Sequence, residues 1–175
     1  IAALLNLLPR QTIAQMVQEP GPLDGDLLQN YLIYHLSSGI SLLPAPVRPE
    51  YADLVTPQHI EQILKLLQQR FDYVLADTSS YLDENLLAAL DVAKLILMVL
   101  GPDLLTLKEA KLALEVLQSL GLKDKVRLIL NRAFPDFGLR RKDVERTLKI
   151  PIMAQIPFAG KVVVGSVNKG VPFML

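Results

Sequence analysis

Three places where an apolar run ends in polar or cyclic residues carry the chemistry this chain can offer. In "RFDYVLADTSSYLDE" the run Tyr73–Ala76 stops on Asp77, with Thr78, Ser79, Ser80 and Tyr81 directly after it. Val126–Leu130 is followed by Asn131 and Arg132, and Ile152–Ile156 by Pro157 and Phe158. A carboxylate closing an apolar strand can face water while the strand stays dry. Mg²⁺ is commonly held from such a position, through its water shell, with substrate phosphates as further ligands. The same acid can simply cap the following turn, with the hydroxyls as ordinary turn residues. The Asn131 carboxamide offers a donor and an acceptor, as reading a purine edge requires. Asn-Arg is equally a common turn dipeptide.

In an open parallel sheet, ligands bind beyond the carboxyl ends of the strands, so the elements that deliver these endings matter. The runs Ile40–Leu43, Tyr73–Ala76, Leu95–Leu100, Val126–Leu130 and Ile152–Ile156 are nearly continuous in apolar residues. That pattern predicts parallel strands covered on both faces. Amphipathic helices are predicted between them. "TPQHIEQILKLLQQR" has Thr56 as N-cap, Pro57 in the first turn, and Ile60, Ile63, Leu64 and Leu67 on one face. "TLKEAKLALEVLQSLG" pairs Thr106 with Glu109 as a capping box and carries a stripe of Ala110, Ala113, Leu114, Leu117 and Leu120, with Gly121 placed to end it. Further helices are predicted over Leu139–Lys149, Asp83–Leu90 and Asp26–Leu36, with "VRPEY" (Val47–Tyr51) as a loop. "KVVVGSVNKG" reads as a strand by valine propensity and as a short helix by the spacing of Val163, Val167 and Gly170. Strands alternating with helices imply crossover units and a parallel sheet.

Composition narrows the classes. Of 175 residues, 51% are hydrophobic, enough for one domain with elements buried on two sides or with a sizeable partner surface. Eighteen basic residues balance 18 acidic ones, so no overall field favours nucleic acid or anionic lipid. With no cysteine, disulfides and thiolate metal sites are excluded. The longest apolar runs, such as Leu95–Leu100, fall far short of the roughly 20 residues a membrane-spanning helix needs. His35 and His59 have no cluster of acids near them in sequence and read as helix-surface residues. "TSSY" lacks the glycines of a serine nucleophile elbow. The basic start "LRRKDVER" is interrupted by Asp143 and Glu145 and reads as a solvated face, with DNA contact the alternative. "VPFML" is too short for an amphipathic membrane anchor.

Taken together, "FDYVLADTSSYLDENLLAALDVAKLILMVLGPDLLTLKEAKLALEVLQSLG", "VRLILNRA" and "IPIMAQIPFAGKVVVGSVNKGVPF" resemble the MinD/ParA group of deviant Walker-type ATPases. Within it, the likeness is to the CpaE/TadZ branch, which serves assembly of tight-adherence (Flp-type) pili. "ISLLPAPVRPEYADLVTPQHIEQILKLL" resembles that branch as well. The resemblance implies a three-layer α/β fold of the P-loop NTPase kind, with a mostly parallel sheet and helices on both faces. It implies ATP or ADP and Mg²⁺ as cofactors, a homodimer facing across nucleotide, and pilus or secretion machinery as partners. A cytoplasmic protein is expected, recruited to the inner membrane or the cell pole.

By the same resemblance Asp77 falls on the Walker B aspartate, holding Mg²⁺ through water, and Thr78 to Ser80 on the start of switch II. Asn131 and Arg132 fall on the pair whose asparagine reads adenine, and Pro157 and Phe158 on the loop flanking the base. Lys161–Asn168 becomes a helix. Two departures stand out. Ser79 and Ser80 occupy positions where many relatives have prolines, which leaves switch II more flexible. No Gly-rich run ending in Lys-Ser or Lys-Thr occurs, so the backbone cradle and lysine that phosphoryl transfer uses are not in the sequence. The opening "IAALLNLL", without Met or a charged leader, reads as a chain entered partway through. The expectation is one ATPase-like domain over residues 1–175, lacking its N-terminal P-loop strand and helix. A non-hydrolysing scaffold of the same fold is the rival.

Overall fold

A computed structural model describes residues 1–46, 48–133 and 138–173. Its helices are α1 Ile13–Met16, α2 Gly25–Tyr31, α3 Pro57–Arg70, α4 Glu84–Val92, α5 Leu104–Ser119, α6 Arg141–Leu148 and α7 Gly160–Lys169. The strands are β1 Ile33–His35, β2 Ile40–Leu42, β3 Ile96–Leu100, β4 Val126–Ala133 and β5 Ile152–Pro157. The chain divides into two compact units, one formed by Ile1–Val92 with Lys161–Leu175 and the other by Ala93–Gly160.

The second unit is a parallel α/β sheet in the order β3-β4-β5. β4 is central, pairing Met98 with Leu128 on one side and Leu128 with Ile152 on the other. Val126, Leu128 and Leu130 are almost fully buried, and they pack in a core with Leu100, Leu107, Leu114, Leu117, Val144 and Ile152. The predicted stripe of α5 is therefore real except at Leu120, which caps the helix and is exposed. Its N-cap is Asp103, not Thr106. The Asp103 carboxylate accepts from the Thr106 N–H and hydroxyl, each at 2.9 Å, so the helix starts three residues earlier than the capping-box pattern predicts. Gly121 takes the left-handed conformation (φ 72°) that closes the helix, while Leu122 N–H returns to the Leu117 carbonyl at 2.8 Å.

The first unit gathers Met16, Leu28, Tyr31 and Ile63 into a core, with Leu43, Leu66 and Leu67 against it. Thr56 caps α3 as expected, accepting from the His59 N–H, while the His59 ring accepts from the Thr56 N–H. Asp83 starts α4 by accepting the Leu86 N–H at 2.7 Å. α7 is a helix, ended by Gly170 at φ 63°, so the helical alternative for "KVVVGSVNKG" holds over the valine propensity.

Four predicted elements are corrected. Ile40–Leu42 does form a strand, but it pairs antiparallel with Ile33–His35 in a two-stranded sheet. The expected helix Asp26–Leu36 ends at Tyr31, because the chain then turns into this hairpin, which puts His35 on a strand with its ring 2.7 Å from the Ser38 hydroxyl. Tyr73–Ala76 has no strand partner among the described residues, and Tyr73 and Leu75 are 90% and 84% exposed. An apolar run becomes a strand only where a neighbour takes its backbone groups. Of the predicted loop Val47–Tyr51, Val47 lies outside the described residues and Pro49–Leu54 is a 3-10 helix.

Candidate functional site

The four residues predicted to contact a base meet at one end of the parallel sheet. Asn131 and Arg132 do not follow β4, as the apolar run suggests, but lie inside its last turn of pairing. Leu130 pairs with Gln155 and Ala133 with Pro157, so β4 carries one residue more than β5 across this interval. That extra residue makes a bulge, a device that bends a strand and re-aims its side chains. Arg132 accommodates it in the left-handed region at φ 54°, where a non-glycine residue is uncommon. The Asn131 side chain stabilises the turn by accepting the Arg132 N–H through Oδ1 at 2.9 Å. Its amino group makes no hydrogen bond among the described residues and remains available as a donor.

β5 brings its own ending alongside. The Phe158 N–H donates to the Ala133 carbonyl at 3.2 Å, which extends the β4–β5 ladder past Pro157. Phe158 is 56% exposed. Asn131, Arg132, Pro157 and Phe158 are thus brought together by pairing between two parallel strands. Sequence reasoning did not foresee the bulge, since the endings of two strands reveal their relative register only once they are paired.

The start of β5 is fixed by α6. The Glu145 carboxylate accepts the Ile152 N–H at 2.8 Å, and Arg141 donates to the Ile152 carbonyl at 2.8 Å. Arg141 also pairs with Glu145 at 2.9 Å, while Arg140 and Arg146 both pair with Asp143. The Ile152 N–H and then Arg141 hold the Glu145 carboxyl below its ordinary value. A depressed carboxylate stabilises the fold above its unfolded pKa, and that contribution is lost as pH falls through the folded value. We expect Glu145→Gln to be less stable than the parent at neutral pH. The difference narrows below about pH 4.3, the ordinary glutamate value. Urea midpoints measured between neutral pH and acid check this; parallel pH profiles for the two proteins would contradict it.

Asp77 lies in the other unit, in an exposed stretch that continues through Tyr81. It makes no hydrogen bond or ion pair among the described residues, whereas Asp83 is committed to capping α4. The turn-capping alternative for Asp77 therefore has no bond to support it. Among the described residues no group of three His, Asp or Glu gathers. An amide, a cation and an aromatic ring are residue types that suit a base, and a carboxylate suits a water-mediated metal contact; no glycine-rich loop with its lysine occurs in the sequence to cradle phosphates.

No protein-family model matches the chain. Over 154 residues it is 29% identical to the septum site-determining protein MinD of Thermotoga maritima, covering 84% of the chain and 56% of that protein. It is 24% identical over 126 residues to an uncharacterized ATP-binding protein of Methanocaldococcus jannaschii, covering 71% and 47%. The chain spans about half the length of the curated relatives it matches. Among solved structures, a ParA family ATPase from Chlorobium tepidum superposes with a TM-score of 0.86 at 21% identity, over 95% of this chain and 69% of that one. A chain of the MinC:MinD cell division protein complex of Aquifex aeolicus gives 0.80 at 22% identity, over 98% and 68%. MinD of Pyrococcus horikoshii, solved with Mg-ADP, gives 0.80 at 19% identity, over 98% and 69%. The fold is therefore that of the ParA and MinD ATPases. No helix among the described residues is long and apolar enough to cross a membrane.

Proposed function

We infer that this chain, by its fold and its MinD-like sequence a member of the MinD/ParA superfamily of ATPases, is the base-binding and metal-binding portion of an ATP-binding protein. One observation carries the reading: the β4–β5 ladder brings Asn131 and Phe158 to a shared sheet end. Ligands of open parallel sheets bind at strand carboxyl ends. In this reading Asn131 donates to the purine edge, Phe158 and Pro157 flank the base, and Arg132 lies beside them as an exposed cation. Asp77 orients water in the metal's shell. Mg·ATP, when bound, supplies the phosphoanhydride to be cleaved. The phosphate cradle comes from an N-terminal P-loop segment of a longer polypeptide, so that residues 1–175 form one domain with it.

The working form we propose is a homodimer that serves assembly of Flp-type pilus machinery, as the CpaE/TadZ-like blocks imply, with recruitment to the inner membrane or pole. The names of the relatives favour a second reading, a role in placing the division septum. A non-hydrolysing scaffold is the third. It is supported by the exposed stretch around Asp77, where Ser79 and Ser80 stand in place of prolines. Phosphate release from ATP by the protein that carries this chain, with and without membranes and candidate partners, separates the ATPase readings from the scaffold. Release establishes the ATPase; none under any condition establishes the scaffold.

A further inference from the structure

Helix α5 has two apolar faces. Leu107, Ala110, Leu114 and Leu117 are buried in the core of the parallel α/β unit. Leu105 is 67% exposed, Leu112 64%, Val116 40% and Leu120 48%. Leu105 is two residues from Leu107, and Leu112 and Val116 are each two from Leu114, a separation of roughly 200° of helical turn. The second face therefore points away from the core. A layer added to the sheet would leave it open, because α5 itself stands between the sheet and that face. An apolar stripe of this kind on a helix that also carries lysines and glutamates marks an interaction surface.

Spacing and charge say what fits it. Leu105, Glu109, Leu112 and Val116 follow the 4-3-4 interval of a coiled-coil seam. Lys108 and Glu115, one heptad apart, flank the seam on one side; Thr106, Ala113 and Leu120 flank it on the other. Neither Lys108 nor Glu115 forms an ion pair among the described residues. When two such helices pair antiparallel, like flanks meet, so Lys108 of each copy lies against Glu115 of the other. A parallel pair would set Lys108 against Ala113 and Glu115 against Leu120, with no charge matched. We propose that the outer face of α5 is a self-association surface, occupied by α5 of a second copy of this chain, antiparallel across a two-fold axis. Glu109 is the one charge within the seam, and a single polar seam residue fixes register at a cost in stability. A 16-residue helix is about 24 Å long, so one such pair falls at the small end of specific interfaces and gives a weak dimer. Nucleotide takes no part in it.

The test is analytical ultracentrifugation of the protein that carries this chain, without nucleotide or Mg²⁺, so that a dimer facing across nucleotide does not contribute. The parent is expected to pass from monomer to dimer between about 1 and 100 μM. Leu112→Glu should stay monomeric throughout, with its melting temperature in dilute solution unchanged because this side chain is exposed. Lys108→Glu and Glu115→Lys should each weaken the dimer by about three- to tenfold, every change counting twice in a symmetric pair. Their combination should return it to within about twofold of the parent, which a merely structural effect would not do. Glu109→Leu should tighten the dimer by about tenfold. A parent that remains monomeric at about 100 μM overturns the proposal and leaves the face to a different protein. A dimer that Leu112→Glu does not disrupt places self-association elsewhere and overturns it too. If the double charge reversal is as weak as the two single losses combined, the antiparallel pairing is overturned.

Discussion

Asp77→Ala, made in the protein that carries this chain, is expected to lower Mg²⁺-dependent ATP turnover by about 10- to 100-fold, the usual cost of losing a group that orients a metal's shell. The prediction is unusually clean in its structural consequences. Asp77 is exposed and makes no hydrogen bond or ion pair among the described residues, so its removal takes nothing from the fold. Asp83, six residues on, would behave differently, since its carboxylate accepts the Leu86 N–H at 2.7 Å and starts α4. Phosphate release measured against Mg²⁺ concentration, beside a melting curve, distinguishes these outcomes. Parental turnover in Asp77→Ala would remove it from the site. Equal losses of turnover and stability would make it a structural residue.

The second large effect is on stability. Leu128→Ala should cost about 2–5 kcal/mol, the range for truncating a buried leucine where neighbours cannot collapse into the space. Leu128 is 0% exposed on the central strand, with Met98 on one side and Ile152 on the other. It also adjoins the step where β5 carries an extra residue between Ile152 and Ala154. Strands on both sides are held by ladder hydrogen bonds, which limits relaxation into a cavity. Against a typical total of about 5–15 kcal/mol, such a loss is a large fraction. Urea unfolding with an unchanged m-value measures it. A cost below about 1 kcal/mol would mean that the sheet does not pack around this side chain.

The parallel sheet was legible because its strands are continuous apolar runs bounded by helix caps. Ile96–Leu100, Val126–Ala133 and Ile152–Pro157 all fall close to their predicted places. Ile33–His35 was hidden at the end of an apolar helical pattern, and three residues carry too little periodicity to reveal a hairpin. Tyr73–Ala76 has the composition of a strand without the pairing, and pairing is a property of two segments that no single run encodes. At the site, residue types located Asn131, Arg132, Pro157 and Phe158. The bulge that aims the first pair arises only from packing.

The account stands on the sheet end shared by Asn131 and Phe158 being a purine site. The most direct measurement is ADP affinity in the protein that carries this chain, compared between parent and Asn131→Ala with pyrophosphate as the control. We predict that Asn131→Ala weakens ADP by about tenfold, as loss of a base-reading hydrogen bond does, and leaves pyrophosphate untouched. Equal binding of ADP by parent and variant, or no binding of ADP by the parent, would contradict it.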